Sequence, residues 1–212
     1  MYAGIVWNDS RTAMEEDTLN KKAYAVLTGD IVNSSKLTSS QSTNAMQWLR
    51  DAAKRFGILY PQSIYGELDT FRHDSWQILM VRPELSFRLS VYLRTSLKLH
   101  SDRGSKFDSR ISVGIGEVEF VSESRISDSR GNAFTVSGRN LDTMSQNRLV
   151  CAVQDSYSDC IRMFCISAVP LLDCIVTDWT PAEAQAIKGT IEGLTQERIT
   201  ELLPPVHTLA EK

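Results

Sequence analysis

Residues 23–32, AYAVLTGDIV, form a continuous apolar run that is rich in β-branched residues and ends in Gly29 and Asp30. Such a run is typical of a strand that is buried on both faces of a sheet. The chain must therefore supply further strands beside this one and helices to cover it. An acidic residue is unexpected at the end of a buried strand, which makes Asp30 a candidate for a role in a site.

The segments that follow alternate between helix and strand patterns. Residues 37–57 carry serine caps and apolar residues at helical spacing, and Gly57 should end this helix. Residues 63–81 form two extended pieces with a polar break between them, which predicts a hairpin with Asp74 at or beside its tip. Residues 82–100 predict a second helix that begins at Pro83. A strand should follow, marked by alternating apolar residues: Ile111, Val113, Ile115, Val118 and Phe120.

The order strand, helix, hairpin, helix, strand predicts an α+β fold. Its sheet would be antiparallel with helices on one face, in the ferredoxin-like βαββαβ arrangement. In that arrangement the first strand ends beside the hairpin, so we expect Asp30 and Asp74 to be neighbours. Two converging carboxylates are typical of a site for hard divalent cations. The alternative is that each aspartate only ends its element, because aspartate is common in turns and at helix starts.

Composition excludes several classes of protein. The chain has 212 residues, of which 42% are hydrophobic and 23% charged, as is typical of soluble globular proteins. A net charge of -3 gives no general attraction to nucleic acid or to anionic membranes. The chain has neither an uninterrupted apolar run of about 18 residues nor a signal peptide pattern at its start, so we expect no membrane contact and a cytoplasmic location.

The four cysteines do not have the spacing of a metal or redox motif. Cys151, Cys160, Cys165 and Cys174 follow no CxxC pattern. We expect them to be reduced, half-buried helix residues, because free cysteine packs as a small hydrophobic residue.

Three segments together resemble a known family. Residues 128–139, DSRGNAFTVSGR, combine Asp128, Gly131 and Arg139; GDIVNSS occupies residues 29–35 and GELDTFRHDSW residues 66–76. In order and spacing they are similar to the catalytic domain of class III nucleotidyl cyclases, the adenylate and guanylate cyclases, over about residues 23–144. The resemblance implies a nucleotide cyclase-like domain that converts a nucleoside triphosphate to a cyclic nucleotide and pyrophosphate.

The resemblance also implies roles for the residues around the first strand and the hairpin. Asp30 and Asp74 would hold two ions of Mg²⁺ or Mn²⁺, with the Ile31 carbonyl completing one coordination shell. Backbone N–H groups at the start of the following helix would bind the phosphates, and these belong to Val32, Asn33 and Ser34.

In the third segment, the resemblance assigns Asp128 to reading the base and Arg139 to stabilising charge on the α-phosphate. Three positions depart from the family. Thr70 stands where the family has the lysine that pairs with the base-reading aspartate, so base selectivity is not predicted. Thr135 replaces the asparagine that orients the ribose, although its shorter hydroxyl can still donate a hydrogen bond. His73 stands where the family has a glycine beside the second aspartate.

In that family the aspartates and the arginine of one site come from different subunits. The resemblance therefore implies a homodimer with two shared active sites and a nucleoside triphosphate as substrate. The departures at Thr70 and Thr135 favour a second hypothesis. In it the chain is a catalytically inactive, nucleotide-binding regulator that acts through its helical tail, in transcription for example.

The final part of the chain differs from the rest. We divide the sequence into a polar leader (1–22), the cyclase-like domain (23–150), a helical linker (151–179) that Pro170 should kink or divide, and a helical tail (180–212). The tail resembles the start of a helix-turn-helix, and the whole chain resembles the SatD-like group of bacterial proteins. A recognition helix is missing where the sequence reads PPVHTLAEK, and the tail is acidic, so nucleic acid is not an expected partner.

Overall fold

The structure, a computed structural model, describes residues 22–102, 104–154 and 159–203. The predicted polar leader therefore lies outside the described residues except for Lys22. Five strands form one sheet in the order β2-β3-β1-β4-β5. They are β1 (Tyr24–Ile31), β2 (Ile64–Thr70), β3 (Ser75–Met80), β4 (Ser109–Gly116) and β5 (Leu149–Val153).

Strand β1 lies inside the sheet, antiparallel to β3 on one side and to β4 on the other. Strand β2 pairs with β3 as the predicted hairpin, and β5 runs parallel to β4. The mixed α+β fold is confirmed, but β5 was not predicted. The domain boundary that we placed at residue 150 falls inside this strand, so Cys151 begins neither a linker nor a helix. Strand β4 also stops at Gly116, and Phe120 makes only an isolated bridge to Arg130.

Among the described residues up to Thr143, the α-helices are α1 (Ser39–Leu59), α2 (Ser86–Lys98) and α3 (Asn132–Thr143). Helix α1 continues two residues past Gly57, so the predicted stop at this glycine is wrong. A glycine inside a helix costs only about 1 kcal/mol, which the packing of α1 readily offsets. Pro83 starts a short 3-10 turn (Pro83–Leu85), and α2 follows it directly.

Helices cover both faces of the sheet, whereas we predicted them on one. Helices α1 and α2 pack on the face to which Leu27, Trp76 and Ile78 belong. Helix α3 packs on the opposite face, where a second core contains Val26, Leu79, Ile126, Ala133 and Phe134. Because successive side chains of a strand point to opposite faces, the continuous apolar run of β1 places apolar side chains on both faces of the sheet. Helices on both faces are needed to bury them.

The described segment 159–203 contains three more helices: α4 (Asp159–Asp178), α5 (Pro181–Ile191) and α6 (Gln196–Leu202). Pro170 does not divide α4. Proline has no N–H, so the carbonyl four residues before it has no donor within the helix. Because Pro170 is exposed, this carbonyl can bind water. Thr180 caps α5 through a capping box, and Gly193 turns the chain with a φ of +75°. The predicted absence of a recognition helix concerns residues 204–212, which lie outside the described residues.

Helix α4 bears on two predictions. It is long and apolar enough, by length and composition alone, to cross a membrane, which a search for uninterrupted apolar runs missed. This is a weak indication, because core helices of soluble proteins pass the same test. The cysteines are also less uniform than predicted. Cys165 is buried with its Sγ 2.8 Å from the Sγ of Cys151 in β5, while Cys160 and Cys174 are exposed.

A buried ionic cluster attaches α4 to the core. Arg94 of α2 is fully buried and donates to both carboxylate oxygens of Asp108 at 2.9 Å and to Asp173 of α4 at 2.7 Å. Arg148 donates a further hydrogen bond to Asp108 at 2.8 Å. Burial alone would raise the pKa of Asp108, but the hydrogen bonds and charge of Arg94 and the nearby Lys98 hold it below its usual range. Asp108 is therefore ionised at neutral pH.

We expect Asp173→Ala to lower the free energy of unfolding by about 3 kcal/mol, because it leaves the buried Arg94 guanidinium short of one negative partner. Urea denaturation at neutral pH measures this. Asp159→Ala is the matched control, since this aspartate belongs to the same helix and its side chain is 97% exposed. Its effect should stay within about 0.5 kcal/mol. Equal losses in the two variants would show that the cluster does not stabilise the fold.

Candidate active site

The pairing of β1 with β3 brings Asp30 and Asp74 together. Asp30 lies opposite Ser75 in the register, and the N–H of Ile31 donates to the carbonyl of Asp74 at 3.0 Å. Asp74 therefore ends the hairpin loop directly beside the end of β1. Both aspartates are partly exposed. Two carboxylates from distant parts of the chain thus share one end of the sheet.

The carboxylate of Asp30 is bound by Arg110, which lies opposite it on β4. Arg110 Nε donates to Asp30 Oδ1 at 2.9 Å and its Nη2 to Oδ2, and Nη1 donates to the carbonyl of Met144 at 3.1 Å. The hydrogen bond to Asp30 raises the pKa of the Arg110 guanidinium, so Arg110 is charged at any physiological pH. Sequence analysis missed Arg110. The available signal was a charged residue at the start of a strand that is otherwise apolar or small.

The carboxylate of Asp74 is bound by hydroxyl groups. Its Oδ2 accepts from Ser34 Oγ at 2.5 Å and its Oδ1 from Ser75 Oγ at 3.3 Å. Ser34 begins a 3-10 turn that ends at Lys36, and Asn33 before it adopts a left-handed conformation with a φ of 54°. The loop after β1 therefore folds back over Asp74.

The predicted phosphate cradle needs a correction. The N–H of Val32 donates to the carbonyl of Asp108 at 2.9 Å and is not available to a ligand. The helix that follows is only the three-residue 3-10 turn, and α1 begins later, at Ser39. Of the three predicted N–H groups, those of Asn33 and Ser34 remain candidates for contact with a phosphate.

Two clefts meet at Asp74. The first has a volume of about 480 Å³ and is bordered by Asp30, Asp74, Arg110 and the loop after β1. The second has a volume of about 840 Å³ and is bordered by side chains that carry hydroxyl, cationic and imidazole groups, among them Ser34, Thr70, Arg72, His73 and Arg125. Clefts of these sizes suit a small molecule. The two carboxylates thus lie next to a cleft that is bordered by cationic side chains.

Contacts between β2 and a later 3-10 turn (Ile126–Asp128) place Thr70 and Asp128 in the same region. Arg125 donates to the carbonyl of Thr70 at 2.9 Å, and the N–H of Ser127 donates to Asp69 at 2.9 Å. Burial alone would raise the pKa of Asp69, but the hydrogen bonds from Ser127 and the charge of Arg125 lower it. Asp128 ends this turn and is exposed. The side chain of Asp128 is therefore accessible from solvent.

Helix α3 carries Thr135 and Arg139 on its exposed side, one turn apart. Gly131 precedes the helix with a φ of +143°, and a Cβ there would lie 2.6 Å from the carbonyl of Glu117, so only glycine fits. Within the residues that the structure describes, neither hydrogen bonds nor ion pairs link Thr135 or Arg139 to Asp30 or Asp74. The two aspartates are thus brought together within one chain, while Arg139 is bonded to neither of them among the described residues.

Close packing at Gly29 fixes the end of β1. A Cβ at this position would lie 2.4 Å from the ring of Trp76 and 2.6 Å from the carbonyl of Arg110. We expect Gly29→Ala to lower the free energy of unfolding by about 2 to 3 kcal/mol, as overpacked cores do. Gly57→Ala is the control, because its Cβ would meet nothing within 4 Å. That variant should gain about 0.5 to 1 kcal/mol from helix propensity. A neutral Gly29→Ala in thermal or urea unfolding would contradict this packing.

Comparison with known proteins gives similarity of fold only. No family model and no curated protein matches the sequence. Among solved structures, an adenylate cyclase from Trypanosoma brucei is similar at 12% identity and a TM-score of 0.47, over 61% of this chain and 73% of that one. The guanylyl cyclase domain of the RhoGC fusion protein from the aquatic fungus Blastocladiella emersonii is similar at 15% identity and a TM-score of 0.46, over 68% and 85%.

A third similar structure is the catalytic core of a rhodopsin-guanylyl cyclase in complex with ATPalphaS, at 14% identity and a TM-score of 0.45, over 64% of this chain and 79% of that one. The chain therefore resembles adenylyl and guanylyl cyclase domains distantly. Likenesses of this distance carry over no activity, since function resides in the site and not in the scaffold.

Proposed function

We propose that this chain is a divalent-metal-dependent nucleotidyl cyclase that converts a nucleoside triphosphate to a cyclic nucleotide and pyrophosphate. The observation that carries the proposal is the placement of Asp30 and Asp74 side by side at the end of the sheet, between two clefts. The proposal includes a ferredoxin-like βαββαβ core, extended by β5 and followed by a helical linker and tail. It also includes a cytoplasmic location.

The donor set fits Mg²⁺ or Mn²⁺. Asp30, Asp74 and the Ile31 carbonyl offer hard oxygen ligands, which these ions prefer. Among the described residues, His, Cys, Asp and Glu side chains form no group of three or more that could hold a metal. Mg²⁺ sites of nucleotide enzymes are typically built from one or two carboxylates and completed by water and substrate phosphates. Metal binding should therefore be weak in the free chain and strengthened by the triphosphate.

Arg110 has two roles in this proposal. In the free chain it neutralises Asp30, and that carboxylate can bind an ion only when the guanidinium moves away. The displaced side chain remains at the first cleft, where it can form charge-assisted hydrogen bonds with phosphate oxygens. The loop N–H groups of Asn33 and Ser34 and the cationic border of the second cleft supply further contacts to an anion. Bound ions would lower the pKa of the ribose 3′-hydroxyl and bind the triphosphate oxygens.

The remaining groups come from a second copy of the chain. Arg139 and Thr135 are exposed on α3 and, among the described residues, make no hydrogen bond or ion pair to Asp30 or Asp74. We propose that they complete the site of a homodimer partner. Arg139 would stabilise the charge that develops on the α-phosphate, and Thr135 would bind the ribose. Thr70 and Asp128 would contact the base. Isologous pairing gives two equivalent sites.

A second candidate function is a catalytically inactive nucleotide-binding regulator. The ion pair between Arg110 and Asp30 favours it, because it leaves one metal-binding carboxylate already neutralised. The tail is attached to the core and could respond to binding: the hydroxyl of Tyr92 in α2 donates to Glu192 at 2.5 Å, and that of Tyr60 to the carbonyl of Ile191 at 2.8 Å. Such a regulator, in transcription for example, would bind triphosphate with metal and release it unchanged.

Incubation of the purified chain with Mn²⁺ or Mg²⁺ and each common nucleoside triphosphate should yield a cyclic nucleotide and pyrophosphate. Asp74→Asn keeps the shape of the side chain and removes its charge, and we expect the rate to fall by at least about 100-fold. Chromatography with mass detection measures the cyclic product. The absence of product from the folded wild type with every nucleotide would reject the cyclase and leave the regulator, which is then tested by equilibrium binding of the triphosphate.

Shared sites predict complementation between two inactive variants. Asp74→Asn and Arg139→Ala should each lose activity, and an equal mixture after subunit exchange should recover about a quarter of the wild-type rate, because half of the dimers have one intact site. A mixture of Asp74→Asn with Asp30→Asn is the control. It should stay inactive, because each site takes both aspartates from one subunit and so always contains one of the two substitutions. Failure of the first mixture, with exchange verified by differential tagging, would contradict a site shared between subunits.

A further inference from the structure

Helix α4 exposes a long surface without charge. Its buried side consists of Cys165, Val169, Asp173 and Val176. Between positions 160 and 177 of this described helix, every exposed side chain is uncharged: Cys160, Ile161, Met163, Phe164, Ile166, Ser167, Pro170, Leu171, Cys174 and Ile175. Leu171 and Ile166 are each 67% exposed, and Met163 is 60% exposed. We call this surface the apolar face of α4.

The apolar face is large enough to support stable association. Six large hydrophobic side chains on it are between 39% and 67% exposed. Together they expose on the order of 600 Å², at the upper end of what isolated monomers show and close to the roughly 800 Å² that each partner contributes to a standard interface. Left in water, a surface of this size would be unfavourable. Covering it with a partner of similar polarity would therefore stabilise the protein.

The spacing on the apolar face suits another helix. Cys160, Phe164, Ser167, Leu171 and Cys174 are all exposed and follow one another at intervals of four, three, four and three. This is the repeat of a coiled-coil seam, in which side chains of one helix fit between those of the next. Large residues alternate with small ones along the seam, so each large side chain of one helix can fit over a small one of its partner.

The buried side of the helix and its small number of basic residues argue against a lipid partner. A membrane-spanning α4 would separate Asp173 from Arg94 and place its carboxylate in hydrocarbon. A helix that lies on a membrane surface usually carries several Lys or Arg residues beside its apolar face, and α4 has Arg162 alone. An identical helix, by contrast, offers the same uncharged surface and the same repeat.

We propose that the apolar face of α4 is a self-association surface, which pairs with α4 of a second copy of this chain about a two-fold axis. This contact is separate from the catalytic dimer and does not rest on the proposed function, because an inactive chain presents the same face. If both contacts form, each chain has two isologous surfaces, and two-fold axes that intersect at right angles would close the assembly as a tetramer.

The test compares the wild type with Phe164→Glu/Leu171→Glu, which places four carboxylates in the symmetric contact. Sedimentation equilibrium over a wide concentration range should show the wild-type assembly reduced to half its mass, with a dissociation constant for this step raised by at least about 100-fold. Ile58→Glu is the matched control, since Ile58 is 63% exposed on α1. It should leave the mass unchanged. Equal masses for wild type and double variant, or a wild type that is monomeric throughout, would overturn the proposal.

A second measurement locates the contact if the double variant folds poorly. Cys160 and Cys174 are exposed on the seam, so a short bis-maleimide should link two chains through their thiols. The yield of linked chains should fall to background when both residues are changed to serine, and should be unaffected by Ile58→Glu. Unlinked wild type would contradict the pairing. Flotation of the wild type with vesicles of phosphatidylcholine and phosphatidylglycerol, abolished in the double variant, would instead show that the face binds lipid and would also overturn the proposal.

Discussion

The structure depends first on β1 being paired along both edges. Its register with β3 places Asp30 opposite Ser75, and its register with β4 places Asp30 opposite Arg110. These pairings bring two aspartates and an arginine from three separate segments to one end of the sheet. Gly29 makes this possible, because the ring of Trp76 and the carbonyl of Arg110 occupy the space of a side chain. The position of the candidate site is thus set by backbone pairing and not by a local motif.

Asp108 connects this site to the rest of the molecule. Its carbonyl accepts the N–H of Val32 in the loop after β1, while its carboxylate is bound by Arg94, which also binds Asp173 of α4. Moving either carboxylate away from the buried guanidinium would leave a buried charge without a partner, which is strongly destabilising. The cluster therefore holds its neighbours in place. The loop that folds over Asp74 and the helix with the apolar face are therefore attached to the same buried residue. A single cluster orders both surfaces on which function is proposed.

The sequence predicted those parts of the fold that follow from local periodicity. The apolar run of β1, the helical spacing of α1 and the polar break of the hairpin each define their element, and their order predicts that Asp30 and Asp74 meet. It did not predict β5, which is five residues long and forms through parallel pairing with a strand far away in the sequence. Nor did it predict that α3 covers the second face. Residues 132–143 mix small, polar and apolar side chains, and their sequence alone does not indicate against which face of the sheet they pack.

The site itself was predicted only in part. The features that were missed depend on contacts between residues that are far apart in the sequence. Arg110 becomes part of the site only because β4 pairs with β1, and the N–H of Val32 is lost to ligands only because Asp108 lies beside it. Neither contact has a signature in the residues near it. The apolar face of α4 escaped prediction for a different reason, since Arg162 and Asp173 interrupt the run in sequence while both lie off the exposed face.

The central claim is that Asp30 and Asp74 bind divalent metal together with a triphosphate. The most direct measurement is a crystal structure of the full chain grown with Mn²⁺ and a non-hydrolysable nucleoside triphosphate, using the anomalous signal of manganese. We predict Mn²⁺ bound to both carboxylates at about 2.0 to 2.3 Å, with Arg110 turned from Asp30 toward the phosphates. Manganese bound elsewhere, with the ion pair between Arg110 and Asp30 still intact beside a bound triphosphate, would contradict the account.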